Sequence, residues 1–225
     1  MNGSMDLMDS NSSQPVDPDS ASRKDRILDV AIDEFSSKGF AATRVDTIAR
    51  RANANKQLIY YYFTSKSGLY EAVLSRLVEA YKPGWKAMEG GTVEQMIQLR
   101  ARNDVSMRPW QRLLAWEGTE YWADENRTIH MEDVRARAYR AQTDIIANAQ
   151  RAGNFPPDIE PEYASLILLY AYLGPIVLPQ ITKMVTGLDP DDPGIRLGIT
   201  RALEAYLHGY VQNPASSTDE PSSRS

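Results

Sequence analysis

The sequence predicts an all-α protein. Three observations carry this. Apolar residues recur three and four positions apart rather than at alternate positions, Gly and Pro punctuate the chain at helix-length intervals, and capping residues precede the apolar runs. With 225 residues, 42% hydrophobic and 24% charged, the chain suits one large domain or two small ones. It has no cysteine, which excludes disulfides, thiolate nucleophiles and cysteine metal sites. Its two histidines, His130 and His208, are too far apart in sequence to suggest a metal cluster. No cofactor is expected. No run of ~18 apolar residues is present, so no membrane span is expected. The N-terminus lacks a basic start leading into an apolar stretch, so no secretory signal is expected and a cytoplasmic protein is the default.

Residues 1–21 are rich in Ser, Asp, Asn and Pro, with four acids and no base, and are expected to be a disordered acidic tail. The first helix should open at Ser22, with Asp25 completing a capping-box-like pair. Ile27, Leu28, Ala31 and Phe35 form its apolar face, and Gly39 should stop it. Thr43 with Asp46 repeats the cap signal for a short second helix carrying Val45, Ile48 and Ala49 and ending near Ala52. Asn55 can cap a third helix whose apolar side is Leu58, Ile59, Tyr62 and Phe63. Ser65 can cap a fourth, with Leu69, Val73, Leu74 and Leu77 inward. Beyond Pro83 and Gly84, helices are expected at 92–107, 109–123, 128–152, 160–178 and 192–211. Gly174-Pro175 should kink the helix at 160–178, because proline removes a backbone donor and clashes with the preceding turn. Residues 213–225 read as a second disordered tail.

Charge is not spread evenly. The whole chain is −5, yet residues 22–66 hold nine bases against five acids. A local basic block attracts phosphate whatever the net charge, though a merely solvated face has the same composition. The second and third helices are joined by about four residues. Ala49 is small where they would cross, Asn53 tolerates the positive φ of a tight turn, and Ile59 anchors the second of the pair. That is the pattern of a helix-turn-helix. The N-terminal half of its second helix would enter the major groove, which puts Asn55, Lys56 and Gln57 first. Asn and Gln can read adenine in bidentate fashion, and Lys can meet guanine acceptors or a phosphate. Thr43 and Lys66 stand at helix starts, where backbone N–H groups favour a phosphate. Arg44 and Arg50 are candidate backbone contacts. Thr43 and Asn55 also read simply as caps, Tyr62 and Phe63 as core, and Arg51 as solvated. Arg23, Lys24 and Arg26 are either a basic arm or decoration of the first helix.

The run from Ile27 to Val73 resembles the DNA-binding domain of TetR-family transcriptional regulators. The Gly39-Phe40 pair, Thr43 at the second helix, Ile48-Ala49 within it, the aromatic run Tyr60-Tyr61-Tyr62-Phe63 and Ser65-Lys66 opening the fourth helix occur in the family's order. The turn departs from the common Ala-Gly-Val-Ser, reading Ala52-Asn53-Ala54-Asn55. Gln57 replaces a common glycine, and Gly68 a usual acidic residue. The resemblance implies that Tyr60 and Tyr61 lie near phosphate or thymine methyls. It also implies a helix-turn-helix DNA-binding domain at 22–66 and a larger helical ligand-binding and dimerisation domain at 67–212.

In the second domain, the helices at 160–178 and 192–211 are apolar over most of their circumference, so each should be buried on more than one side. The resemblance implies that they pair with a second copy, with Leu166, Leu169, Tyr170, Leu203, Tyr206 and Leu207 at the interface. Ligand pockets are mostly apolar and aromatic with a few placed polar groups. Trp116, Glu117, Glu120, Tyr121, Tyr139 and Tyr172 fit that description, with Arg102 as a carboxylate anchor. The expectation is a repressor that binds a palindromic operator on double-stranded DNA as a homodimer. A small, partly apolar or aromatic effector would release it, and the fourth helix would be the lever. A regulator that works through a protein partner without an effector remains open. A helical enzyme is disfavoured by the lack of any nucleophile–base pair, metal cluster or phosphate loop in the sequence.

Overall fold

The computed structural model describes residues 18–88, 91–102, 107–126 and 128–212, the side chains of 18–20, 81–88 and 208–212 excepted. Residues 1–17 and 213–225, which make up most of the two expected tails, lie outside the described residues, as do 103–106 of the helix expected at 92–107. Among the described residues there are ten helices and no strand. They are α1 (Pro18–Ala42), α2 (Val45–Arg51), α3 (Lys56–Phe63), α4 (Lys66–Met88), α5 (Val93–Ala101), α6 (Arg108–Tyr121), α7 (Glu132–Arg151), α8 (Pro161–Val177), α9 (Pro179–Thr186) and α10 (Pro193–Gln212).

Several local devices work as the residues predict. Gly39 leaves the helical path at φ 78, ψ 174, as a stop should. Asn53 takes φ 49 in the turn. Asn55 Oδ1 accepts from the Leu58 N–H at 2.7 Å, and Ser65 Oγ accepts from the Gly68 N–H at 2.9 Å. Gly68 has its own reason. A Cβ there would lie 2.1 Å from the Phe63 carbonyl oxygen, so a side chain cannot fit where α4 leaves α3.

Others differ. α1 begins at Pro18, so Ser22 lies inside it rather than capping it; Pro18 itself suits a first helical position. Thr43 does not cap α2 either. The cap position is Arg44, and the Thr43 hydroxyl instead donates to the carbonyls of Gly39 (2.7 Å) and Glu34 (3.2 Å). α8 spans the helix expected at 160–178, with Pro175 inside it, but a further helix, α9, follows that was not expected. Pro175 and Pro179 each lack an N–H, and the chain bends by 93° between α8 and α9, which has no separate signal in the sequence.

Packing gathers around two apolar cores. The first joins Ile27, Ala31 and Phe35 of α1, Ile48 of α2, Ile59 of α3 and Leu69, Val73 and Leu77 of α4, and takes in Trp110 and Leu113 of α6. It runs straight past residue 66. The second joins Val93, Met96 and Ile97 of α5 to Ile145 and Ile146 of α7, Ala164 and Leu168 of α8 and Leu207 of α10. α6 therefore roots in the core of the N-terminal helices while flanking the C-terminal ones.

Candidate functional site

α2 and α3 meet over Ala49 and Ile59, both buried, which fixes the opposite side of α3 toward solvent. That side presents Asn55, Lys56 and Gln57 at its N-terminal end, then Tyr60 at 39% and Tyr61 at 80% exposure. Arg44 and Arg50 flank it, both exposed. Two aromatic hydroxyls, two amides and a lysine are thus exposed on α3 and its cap, and two arginines on α2 and its cap. Phe63 is buried and Tyr62 half-buried, as expected of core-side residues. Lys56 pairs with Asp46 at 3.0 Å, and the hydrogen bond and charge of that carboxylate raise the ammonium pKa.

Three side chains stand differently from their expected places. Thr43 is 2% exposed with its hydroxyl aimed inward, so it locks the α1–α2 corner and does not reach the surface. Lys66 bends back over the Phe40 ring, 4.7 Å from its centroid, and donates to the Ala41 carbonyl at 3.2 Å; partial burial lowers its pKa. Arg51 is not merely solvated. Its guanidinium donates to Glu34 Oε1 at 2.7 Å and to Asp33 at 3.4 Å. Burial of Glu34 would raise its carboxyl pKa, but Lys38 and Arg51 outweigh burial and hold it below the ordinary value.

The residues expected to line a pocket do not gather in one place. Trp116, Glu117 and Glu120 face the junction with the N-terminal helices. Glu120 Oε1 accepts from the Ala41 N–H at 2.9 Å, and a Cβ on Gly39 would meet that same oxygen at 2.5 Å and Trp116 at 3.1 Å. Glu117 makes a two-pronged pair with Arg135, both bonds 2.6 Å. Arg135 also donates to the His130 carbonyl and lies over the Trp110 ring at 5.4 Å. His130 in turn packs its ring against Phe40 and Tyr70. Tyr121 packs edge-on against Trp122 at the end of α6, away from the cavity walls. Arg102 is the exposed residue that ends α5.

Tyr139 and Tyr172 do line a cavity, of about 70 Å³, at the seam of the two cores. Its other walls include Trp110, Gln111 and Leu114 of α6, Gln142 of α7, Leu169 of α8 and Arg100 of α5. The arginine is thus two residues before the one expected. The signal was present, because Arg100 falls on the apolar stripe of α5 with Met96 and Ile97. Gln142 does the same on α7 beside Ile145 and Ile146. A wider groove of about 820 Å³ lies beside the cavity and shares Leu114, Tyr139, Leu169 and Leu173 with it.

Of the residues expected at a subunit interface, Leu166, Tyr170 and Tyr206 are exposed at 41%, 60% and 57%. Leu207 is 5% exposed and belongs to the second core, and Leu203 packs against that core. Leu169 turns to the cavity. On α10 the inward stripe is therefore the one through Leu203 and Leu207, and the outward one carries Leu197 and Tyr206. Exposed Tyr163 and Ile167 on α8, and Ile181, Met184 and Val185 on α9, extend the apolar surface.

Residues 27–73 match the family model for bacterial regulatory proteins of the tetR family. The HTH-type transcriptional repressor SCO4008 of Streptomyces coelicolor is 32% identical over 195 residues, covering 84% of this chain and 97% of that protein. The HTH-type transcriptional regulator RutR of Escherichia coli is 40% identical over 67 residues, 30% of this chain and 32% of RutR. Among solved structures, SCO4942 from Streptomyces coelicolor aligns with a TM-score of 0.61 at 24% identity, covering 82% of this chain and 97% of that one. GusR from Salmonella enterica aligns with a TM-score of 0.59 at 17% identity, covering 88% and 98%. The two structural likenesses bear on the fold alone.

Proposed function

The chain belongs to the TetR family of bacterial regulatory proteins and is a DNA-binding transcriptional regulator, not an enzyme; from that premise we propose a ligand-responsive repressor that binds a palindromic operator as a homodimer. The observation that carries the DNA reading is the outward edge of α3. Lys56, Gln57 and Tyr60 stand exposed on a short helix whose far side is locked into a core by Ile59 and Phe63. A rigid backing holds the reading side chains in register with base edges, and Tyr61, Arg44 and Arg50 flank them as phosphate contacts. Asn55 both caps the helix and stands at the groove. Thr43 contributes by fixing the α1–α2 corner. Lys66 reaches a phosphate only by leaving Phe40.

Selection of bound duplexes from a random pool tests this. A palindromic site is the expected product, with affinity that falls steeply as salt rises. Lys56→Ala, Gln57→Ala and Tyr60→Ala should each cost about 1–3 kcal/mol of operator affinity. Wild-type affinity in all three variants would remove the assignment.

The second copy is proposed to cover the outward faces of α8 and α10. Tyr163, Leu166, Ile167 and Tyr170 on one and Leu197 and Tyr206 on the other are large apolar side chains left in water, which supports an interaction surface. Tyr170→Glu with Tyr206→Glu should give a monomer by light scattering. Operator affinity should fall on the order of a hundredfold, because two linked half-site contacts become one. A double variant that stays dimeric would place the interface elsewhere.

Effector control is proposed to run through α6. Trp110, Gln111 and Leu114 of this helix wall the cavity, while Trp116, Glu117 and Glu120 grip Gly39, Ala41 and Arg135 at the junction. One rigid element thus touches both the cavity and the DNA-binding helices. The sequence points to α4 as the lever, and the grip on Ala41 favours α6 as its partner in that role. An effector shifts the spacing of the recognition helices only by the difference in its affinity for the two states.

A further inference from the structure

The cavity at the seam of the two cores has an unusual polar lining. Arg100 donates through Nη2 to Gln142 Oε1, but its Nε is buried with no partner. Gln111 Oε1, on the facing helix, is also buried with no partner. Both residues line the same space. Among the described residues no carboxylate pairs with Arg100; the titratable groups that bear on it are the Tyr139 and Tyr172 hydroxyls. Tyr172 is engaged with Thr200 at 2.9 Å, and Gln142 Nε2 with Ser165 at 2.8 Å. Arg196 is not part of this lining; it donates to the backbone carbonyl of Arg100 at 3.2 Å. This space is therefore lined by one guanidinium that no carboxylate pairs among the described residues, and by one buried acceptor without a donor.

The adjoining groove is the opposite. Leu114, Leu166, Leu169, Leu173, Val177 and Trp122 make its walls largely apolar. Its rim residues Leu166 and Tyr170 belong to the face proposed for the second copy, which would roof it.

We propose that the effector is an amphipathic carboxylic acid, its carboxylate on Arg100, a neighbouring hydrogen-bond donor on Gln111 Oε1, and its apolar body in the groove beside Leu114, Leu169 and Leu173. This rests on the effector-controlled reading above and names its ligand class. An unpaired buried guanidinium is costly, and a charge-assisted bond to a carboxylate relieves that cost while fixing orientation. An apolar amine or alcohol of the same length satisfies the groove but leaves Arg100 as it was.

The test uses the full chain and three probes of equal length, decanoate, decanol and decylamine, with alpha-hydroxydecanoate as the donor-bearing acid. Calorimetric titration should show decanoate binding at least tenfold more tightly than decanol or decylamine, and alpha-hydroxydecanoate more tightly still. Arg100→Met should lose at least tenfold for both acids, while its ligand-free melting temperature rises because an unpaired buried charge is gone. Gln111→Leu should erase the preference for the hydroxy acid and leave decanoate binding in place. Equal binding of acid and alcohol, tighter binding of the amine, or wild-type acid affinity in Arg100→Met would each overturn the proposal. Operator binding is measured alongside. Intact operator binding with no response to the acids defeats this inference alone, whereas loss of operator binding by the wild-type chain defeats the regulator mechanism on which it rests.

Discussion

Glu117→Ala should destabilise the protein by about 3–5 kcal/mol, because removing one member of a buried ion pair strands the other. Glu117 and Arg135 are joined by two bonds of 2.6 Å, with side chains only 17% and 9% exposed. The stranded guanidinium would lie over Trp110, in a setting that water reaches poorly. Thermal unfolding should move down by roughly 10 °C for a chain of this size. The companion variant separates pairing from packing. Glu117→Leu together with Arg135→Met should recover most of the loss, since apolar residues of similar volume replace buried ion pairs well. A single variant within about 1 kcal/mol of the wild type would show that solvent reaches the pair freely.

Gly39→Ala should cost about 2.5–6 kcal/mol in total. Its φ 78, ψ 174 lies where essentially only glycine rests, which accounts for about 1–3 kcal/mol. The new methyl would stand 2.5 Å from Glu120 Oε1 and displace it from the Ala41 N–H, a charge-assisted bond worth about 1.5–3 kcal/mol. Denaturant unfolding measures the sum, and Glu120→Ala in the Gly39→Ala background divides it. If the methyl has displaced Glu120, the second substitution adds little further loss, whereas a further loss of about 1.5–3 kcal/mol means that the bond survived and strain carries the effect. If Glu120→Ala alone reproduces the whole effect, the backbone at Gly39 carries no strain. Operator affinity of the folded fraction should fall as well, because the same contact sets the pose of α1 against α6.

The helix-turn-helix was legible because its determinants are local. Asn55 and Ser65 each cap a backbone N–H three residues on, and Asn53 acts through its own positive φ, so each does in the fold what it allows in isolation. Gly39 was legible as a stop for the same reason, though its second role was not. The oxygen it accommodates comes from Glu120, 79 residues further on from Ala41, and no local pattern records that meeting. Thr43 shows the limit from the other side. As a helix-start threonine it had a cap or a phosphate to choose from, yet its hydroxyl turned to carbonyls that only the folded corner of α1 brings near.

The C-terminal half was legible as helices but less so as faces. Leu203 and Leu207 satisfy an inward and an outward reading equally well until α5 and α7 arrive to bury them. Glu117 and Glu120 looked like polar pocket groups because they sit beside aromatic residues. The partners that claim them, Arg135 and the Ala41 N–H, belong to distant segments. The cavity arginine was off by two positions, a shift that on a helix moves a side chain to the opposite flank.

Two tryptophans, Trp110 inside α6 and Trp122 at its C-cap, make this geometry optically readable. Trp110 is 5% exposed, shares the cavity wall with Gln111 and has Arg135 over its ring, whereas Trp122 is 76% exposed on the groove side. A dissolved quencher such as iodide should extinguish the outer indole and spare the inner one. In a Trp85→Phe, Trp116→Phe background, emission that survives the quencher reports from the inner site, and its wavelength tracks the guanidinium held over that ring. The helix that connects cavity to DNA-binding helices thus carries its own gauge, with one indole that records the interior and one that records the bulk solvent.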